Sequence, residues 1–384
     1  MRIAYIHDDR KIYTGAHHIN ELIICKLREF GAYVKNFYPR TRLIDGTHHD
    51  LKGVSNILFF YSLLEQKKEI LKYDLIQGTT FTPITFLAFN IPVITHFGST
   101  TIGILESIPM TKDLDRKSRN IFYKLKRDKI INEINLRSRK PLIDVSNIQF
   151  FTAKKSTKVI AASKIVKNEL IKYGNVPPNN ILVIHNAIED YWFEKPLSNL
   201  NKPKLLFLGR IGNNAFTWKT KGLDRLINIY QEFPNLYKVS IIMTKNKKIA
   251  PWINKQITNH KSIVNLQKEK IYEIIHSYRG SVSLLTSRYE GFSLSLVETM
   301  SQGLIPISFP VGVAPEIIVN GKNGYLVNST KEACFRIKEI MKNEQLRGEL
   351  SYSAYRTSLQ FKADILAKKL VSLYKSIISN KKST

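Results

Sequence analysis

The chain has 384 residues, 43% hydrophobic and 10% aromatic, so it can bury real cores and wholesale disorder is excluded. That length exceeds one typical core and suits two domains of about 150–200 residues each. With 59 Lys+Arg against 31 Asp+Glu, the formal net charge of +28 attracts phosphates of any kind, whether in nucleic acid, anionic lipid or a nucleotide-linked substrate, and says nothing about fold.

The start, "MRIAYIHDDRKIY", meets charge early and has no signal-peptide core, and no run of about 18 apolar residues suggests a membrane span. Cys25 and Cys334 stand far apart, with neither disulfide nor metal spacing. A reducing cytoplasm is the expected location, with the inner face of the plasma membrane as a peripheral option.

In chain order, short β-branched runs recur: "RIAYI", "YVKNFY", "DLIQG", "IPVITHF", "KVIAAS" and "ILVIHN", then "KLLFLG", "KVSIIMT", "SIVNL", "SVSLLTS", "LIPISF" and "GYLV". Helix-like stretches lie between them, such as "HINELIICKLREFG", with Ile19, Leu22, Ile23, Leu27 and Phe30 on one face, and "KGLDRLINIYQEFP". Strands that are apolar throughout, separated by amphipathic helices, indicate parallel sheets covered on both faces. The pattern runs twice, with "FEKPLSNLNKPK" as a polar join. The expected fold class is α/β, two doubly wound Rossmann-like domains over residues 1–195 and 203–361 facing a central cleft. A final helix near 362–384 is expected to return to the first domain, and ligands to lie at the carboxyl ends of the strands.

Residues 111–140 break the rhythm, with 11 Lys+Arg against 4 Asp+Glu. Ile121, Phe122, Leu125, Ile130, Ile131 and Ile134 form a loose apolar stripe there. That composition suits either a helix lying on an anionic surface or a solvated helix packed on its own domain.

The stretch "SRYEGFSLSLVETMSQG" reads as a turn and a helix after a buried strand. Gly291 permits a tight turn, and Ser293 or Ser295 can cap the helix, leaving helix-start amides free for an anion. Five residues separate Ser293 from Glu298, about 7.5 Å along a helix and close to the span from a β-phosphate to its ribose. Glu298 is then placed to accept from ribose hydroxyls, and Glu290 to face whatever the phosphate carries. Upstream, Gly209-Arg210 ends one strand and Lys221-Gly222 opens the next helix, so Arg210 and Lys221 can clamp a diphosphate. No Walker-type or dinucleotide-type glycine loop appears.

Asp113 and Asp115 mimic a metal-binding D-x-D but do not follow a buried strand, and the pairs His17-His18 and His48-His49 lack ligand spacing, so no metal is expected. Asp8-Asp9, after the first strand, are equally well explained as acceptor contacts or as a solvated loop.

"GR…KG", "SRYEGFSLSLVETM" and "GVAPEIIVNGKNGYLV" resemble the C-terminal domain of family 4 retaining glycosyltransferases of the GT-B fold, and "PVITHFGS" and "KVIAASKIVKNELIKYG" resemble N-terminal blocks of that family. The resemblance implies donor-diphosphate contacts from Gly209, Arg210 and Lys221, with Lys219 as a substitute because the intervening loop is long. It implies ribose binding by Glu298, orientation of the transferred sugar by Glu290, and β-phosphate binding by the Gly291, Phe292, Ser293 and Leu294 turn. Gly15 matches a loop near donor phosphates, and His96 a catalytic histidine. Ser293 stands where the family has glycine, and "NAIE" replaces "NGID". The implied reaction moves a sugar from a nucleotide-diphosphate donor, with UDP the commonest choice, to a hydroxyl acceptor. No cofactor is implied beyond that co-substrate. The +28 charge favours an anionic or lipid-linked acceptor, with a soluble small molecule or peptide as the within-class alternative. A non-catalytic nucleic-acid binder is the rival from another class, but the basic residues are scattered and no binding module appears.

Overall fold

The computed structural model describes residues 1–8, 15–40 and 52–382; Asp9 and the His48-His49 pair lie outside the described residues. The chain divides into two compact units, residues 1–105, 139–189 and 361–384 in one and 106–138 and 190–360 in the other.

The first unit carries β1 (Arg2–Ile6), β2 (Tyr33–Phe37), β3 (Leu75–Thr79), β4 (Val93–Phe97), β5 (Lys158–Ala161) and β6 (Ile181–Val183). They form one parallel sheet in the order β2-β1-β3-β4-β5-β6. β4 is buried at all five positions, as a strand covered on both faces must be. The helix Gly15–Glu29 buries Ile19, Ile23, Ile24 and Leu27, whereas Phe30, expected on the inner face, is 38% exposed because the helix has ended before it. The terminal helix Ala363–Lys382 belongs to this unit: the Tyr374 hydroxyl donates to Gln77 Oε1 on β3, and Lys381 Nζ donates to Asn90 O at 2.6 Å.

The second unit carries β7 (Leu205–Arg210), β8 (Lys238–Met243), β9 (His260–Val264), β10 (Val282–Leu285), β11 (Ile305–Ser308) and β12 (Tyr325–Leu326). The parallel order is β12-β11-β10-β7-β8-β9. β7 leads outward to β8 and β9 on one side, and β10 leads to β11 and β12 on the other. The carboxyl ends of adjacent β7 and β10 are therefore the switch point where doubly wound sheets hold ligands.

The two units are not contiguous in sequence: residues 106–138, within the span expected for the first domain, cluster with the second unit. Phe122, Leu125 and Ile131 are at most 2% exposed and join that unit's core with Trp218, Leu226 and Ile253. Polar contacts fix the same segment: Asn228 Nδ2 donates to Ser118 Oγ at 3.2 Å, Trp252 Nε1 to Asp128 Oδ2 at 2.9 Å and Asn246 Nδ2 to Ile130 O at 3.0 Å. The apolar stripe is thus covered by protein, and on the helix Arg116–Arg127 all the cations but the half-buried Arg119 face outward. Asp115 caps that helix, its Oδ1 accepting from Ser118 N at 3.0 Å, which accounts for the apparent D-x-D.

Candidate functional site

β7 delivers Arg210 to the switch point as its last residue. Arg210 is exposed, and no hydrogen bond or ion pair engages its guanidinium among the described residues. Gly209 precedes it, and a Cβ there would stand 3.0 Å from the Phe207 ring, a tight contact.

The chain then makes the short helix Ala215–Thr220 and turns at Lys221-Gly222. Gly222 has φ +60°, and a Cβ there would lie 1.9 Å from Thr286 O. Only glycine lets this turn press against the segment leaving β10. The contact is cemented by Thr286 Oγ1 donating to Lys221 O at 2.9 Å and Arg288 N donating to Thr220 O at 2.8 Å.

Arg288 adds a fork-to-fork pair with Asp224, at 2.8 and 2.6 Å, and also donates to Lys219 O at 3.0 Å. With side chains 8% and 0% exposed, this charge pair is held out of water, and removing either partner would strand a buried charge.

That scaffold brings the predicted Lys221 and Glu290 together. Lys221 Nζ donates to Glu290 Oε1 at 2.6 Å, and Ser287 Oγ donates to the same oxygen at 2.6 Å. Oε2 has no protein partner among the described residues and is the oxygen left for a ligand. An ammonium has three donors, so Lys221 can hold Glu290 and still address an anion.

Lys219 cannot substitute for Lys221. It is 2% exposed and donates to Pro109 O and Asn135 Oδ1, both at 2.9 Å, inside the 106–138 segment. Burial, assisted by the nearby Arg288 charge, pushes its ammonium down to about 8.

After β10 the chain reaches Gly291, Phe292 and Ser293 and enters the helix Leu294–Ser301. Ser293 occupies the cap position but makes no side-chain cap bond; its φ is +83°, so the expectation of a serine cap fails there. The backbone instead takes the shape that glycine favours. The turn is pinned from outside by Gly312, where a Cβ would meet Phe292 O at 2.4 Å, and by Val313 N donating to Phe292 O at 2.9 Å.

Glu298, 7% exposed on this helix, lies with Oε1 3.5 Å from Lys268 Nζ. One turn further along, Gln302 Nε2 donates to Trp192 O at 2.6 Å and its Oε1 meets His276 Nδ1 at 2.9 Å, which locks the helix against Lys268–His276. The sequence reading missed Lys268, Arg288, Asp224 and Gly312. Of these, Asp224, Arg288 and Gly312 stood inside quoted stretches without being singled out, and Lys268 stood outside them all.

In the first unit, His96 is 4% exposed near the end of β4, and burial pushes its imidazole down to about 4 against a smaller upward pull from Asn186. It is neutral at pH 7, with one ring nitrogen to donate and one to accept. Gly15 is the exposed first residue of its helix, and His17 Nε2 meets Asp8 Oδ1 at 3.2 Å. Among the described residues no cluster of His, Cys, Asp or Glu has metal-binding geometry.

Two parallel doubly wound sheets are the layout of the GT-B fold, and comparison with known proteins agrees. Residues 189–357, the second unit without its 106–138 segment, match the family model described as glycosyl transferases group 1. A sucrose-phosphate synthase from Thermosynechococcus elongatus superposes with TM-score 0.73 at 14% identity, covering 99% of each chain. HepE of Anabaena, solved in complex with UDP, superposes with TM-score 0.68 at 15% identity, covering 98% of this chain and all of that one. In sequence, the uncharacterized glycosyltransferase MJ1178 of Methanocaldococcus jannaschii is 29% identical over 211 residues, 54% of this chain. The match spans little more than half of that relative, 56% of its length.

Proposed function

We propose that the protein is a retaining, family 4-type glycosyltransferase that moves a sugar from a nucleoside-diphosphate donor to a hydroxyl acceptor. One observation carries the reading: the paired Lys221 and Glu290, the exposed Arg210, the helix start at Leu294 and the buried Glu298 all stand around one switch point of the second unit. Arg210, Lys221 and the amides of Phe292, Ser293 and Leu294 would take the diphosphate, and Glu298 the ribose. Glu290 Oε2 would accept from a hydroxyl of the transferred sugar. As the bond from the anomeric carbon to the β-phosphate oxygen breaks, its electron pair stays on the diphosphate, the acceptor oxygen bonds to the anomeric carbon, and the acceptor's proton passes to the departing phosphate. The two cations and the helix start would stabilise that charge without a metal. His96, neutral, would hydrogen-bond a substrate hydroxyl.

HepE is solved with UDP and also with UDP-glucose, which supports a UDP-sugar as the donor here. No helix among the described residues is long and apolar enough to cross a membrane. The outward cations of Arg116–Arg127, with side chains such as Lys117 76% and Arg127 70% exposed, favour an anionic or lipid-linked acceptor reached by peripheral, electrostatic contact. Such contact predicts binding to phosphatidylglycerol vesicles that fades as salt rises past about 0.15 M; activity on a soluble acceptor with no vesicle binding would favour the soluble-acceptor reading.

The test is turnover of a panel of UDP-hexoses, followed by NMR of the anomeric proton. The expected result is UDP release with retained configuration, unaffected by EDTA. Glu290→Gln should lower the rate by roughly 100-fold, about 2.7 kcal/mol of barrier, while UDP affinity changes far less. Equal rates for wild type and Glu290→Gln would remove Glu290 from the reaction.

A further inference from the structure

Lys268 is the first residue of the helix that follows β9, and its Nζ lies 3.5 Å from Glu298 Oε1. Both side chains are mostly covered, 22% and 9% exposed. An ammonium only donates and a carboxylate only accepts, whereas a hydroxyl does both at once. A carboxylate and an ammonium at this spacing are therefore complementary to one hydroxyl that donates to the first and accepts from the second.

We propose that Lys268 is a donor-specificity residue: with Glu298 it reads the 2′-hydroxyl of the nucleotide ribose, so the site takes ribonucleoside diphosphates and rejects their 2′-deoxy counterparts. The inference rests on the placement of the ribose on Glu298 proposed above. The direction comes from the sheet. The phosphate ligands stand at β7 and β10, while Lys268 follows β9, the edge strand two places beyond β7. A nucleotide anchored by its diphosphate at the switch point extends toward Lys268 with its base end, and the 2′-hydroxyl is the one beside the base. A deoxy donor offers the pair no hydroxyl to bridge them.

The experiment measures dissociation constants of UDP, GDP and ADP and of their 2′-deoxy forms on the full chain, for wild type, Lys268→Met and Lys268→Arg. For the base that binds, the wild type should prefer the ribose form by roughly tenfold or more, the size of one charge-assisted hydrogen bond. Lys268→Met should weaken the ribose form by a similar factor, leave the deoxy form within about twofold, and so erase the preference. Lys268→Arg should restore part of it. Equal weakening of both forms would place Lys268 on the base or phosphates and overturn the proposal, as would no effect on either. Failure of the wild type to bind any of the ribonucleotides would instead overturn the ribose site on Glu298 itself, and that result is visible before any substitution is made. An unliganded melting midpoint within about 2 °C of wild type confirms that Lys268→Met folds.

Discussion

Ser293 holds φ +83° at the cap position of the helix that the site is built on. A side chain in that region costs about 1–2 kcal/mol, and the serine hydroxyl gives no cap bond in return. Glycine relieves the clash but loses more chain entropy on folding, about 0.5–1 kcal/mol. Ser293→Gly should therefore stabilise the protein by about 0.5–1 kcal/mol, raising the midpoint by roughly 1–2 °C in a thermal melt. Nucleotide affinity should stay within about twofold, because the backbone amides keep their directions. A lower midpoint would mean that the hydroxyl does more than its contacts show. Gly222 makes the opposite case, since φ +60° and a carbonyl 1.9 Å from any added Cβ leave no room for a side chain.

At the scale of elements, the helix Arg116–Arg127 shows how a site can be braced by chain from outside its motifs. Phe122 is fully buried in the second unit's core, and the Lys219 ammonium stands 5.4 Å from its ring centre. Lys219 in turn anchors the segment through Pro109 O and Asn135. Phe122→Ala should cost about 3–5 kcal/mol and make residues 106–138 an early target of limited proteolysis. Melting unchanged by the substitution would show that the segment is not part of the cooperative core.

Sequence reasoning found the strands, the E-x7-E helix and the Lys221-Gly222 turn, because each is a local signal: an apolar run, a spacing, a glycine. It did not find the Arg288–Asp224 pair, whose members lie 64 residues apart with no periodicity linking them. The allegiance of 106–138 was illegible for a related reason. An apolar stripe states that a face is covered, and nothing in the stripe says by which unit. Lys268 stayed hidden because its partner Glu298 was already explained by a motif, while Lys268 itself reads as one more cation in a chain of charge +28.

For the whole molecule, charge and burial together set the pH response. His7, His96 and His260 are all pushed down to about 4, in each case chiefly by burial. Unfolded, each would take its proton near pH 6.5, so between about 6.5 and 4 the unfolded chain binds more protons than the folded one. Their contribution to stability is complete above pH 6.5 and is lost as pH falls toward 4. The melting midpoint should fall steadily across that window while remaining flat from pH 7 to 8, and His96→Gln should reduce the slope if the variant folds. A midpoint independent of pH between 6.5 and 4.5 would contradict the burial of these rings as neutral groups.

The central claim is that the second unit holds a nucleoside diphosphate with its ribose on Glu298. The most direct test is a thermal-shift panel of UDP-, GDP-, ADP- and TDP-sugars on the wild type and on Glu298→Ala. A ligand at a hundred times its dissociation constant adds about 2.7 kcal/mol, a shift of several degrees for a chain of this size. One ribonucleotide donor, UDP first, should shift the wild type and shift the variant much less, while the deoxyribose TDP-sugars do little to either. No shift with any donor, alongside a shift with RNA or DNA, would contradict the account and make the positive charge the basis of function.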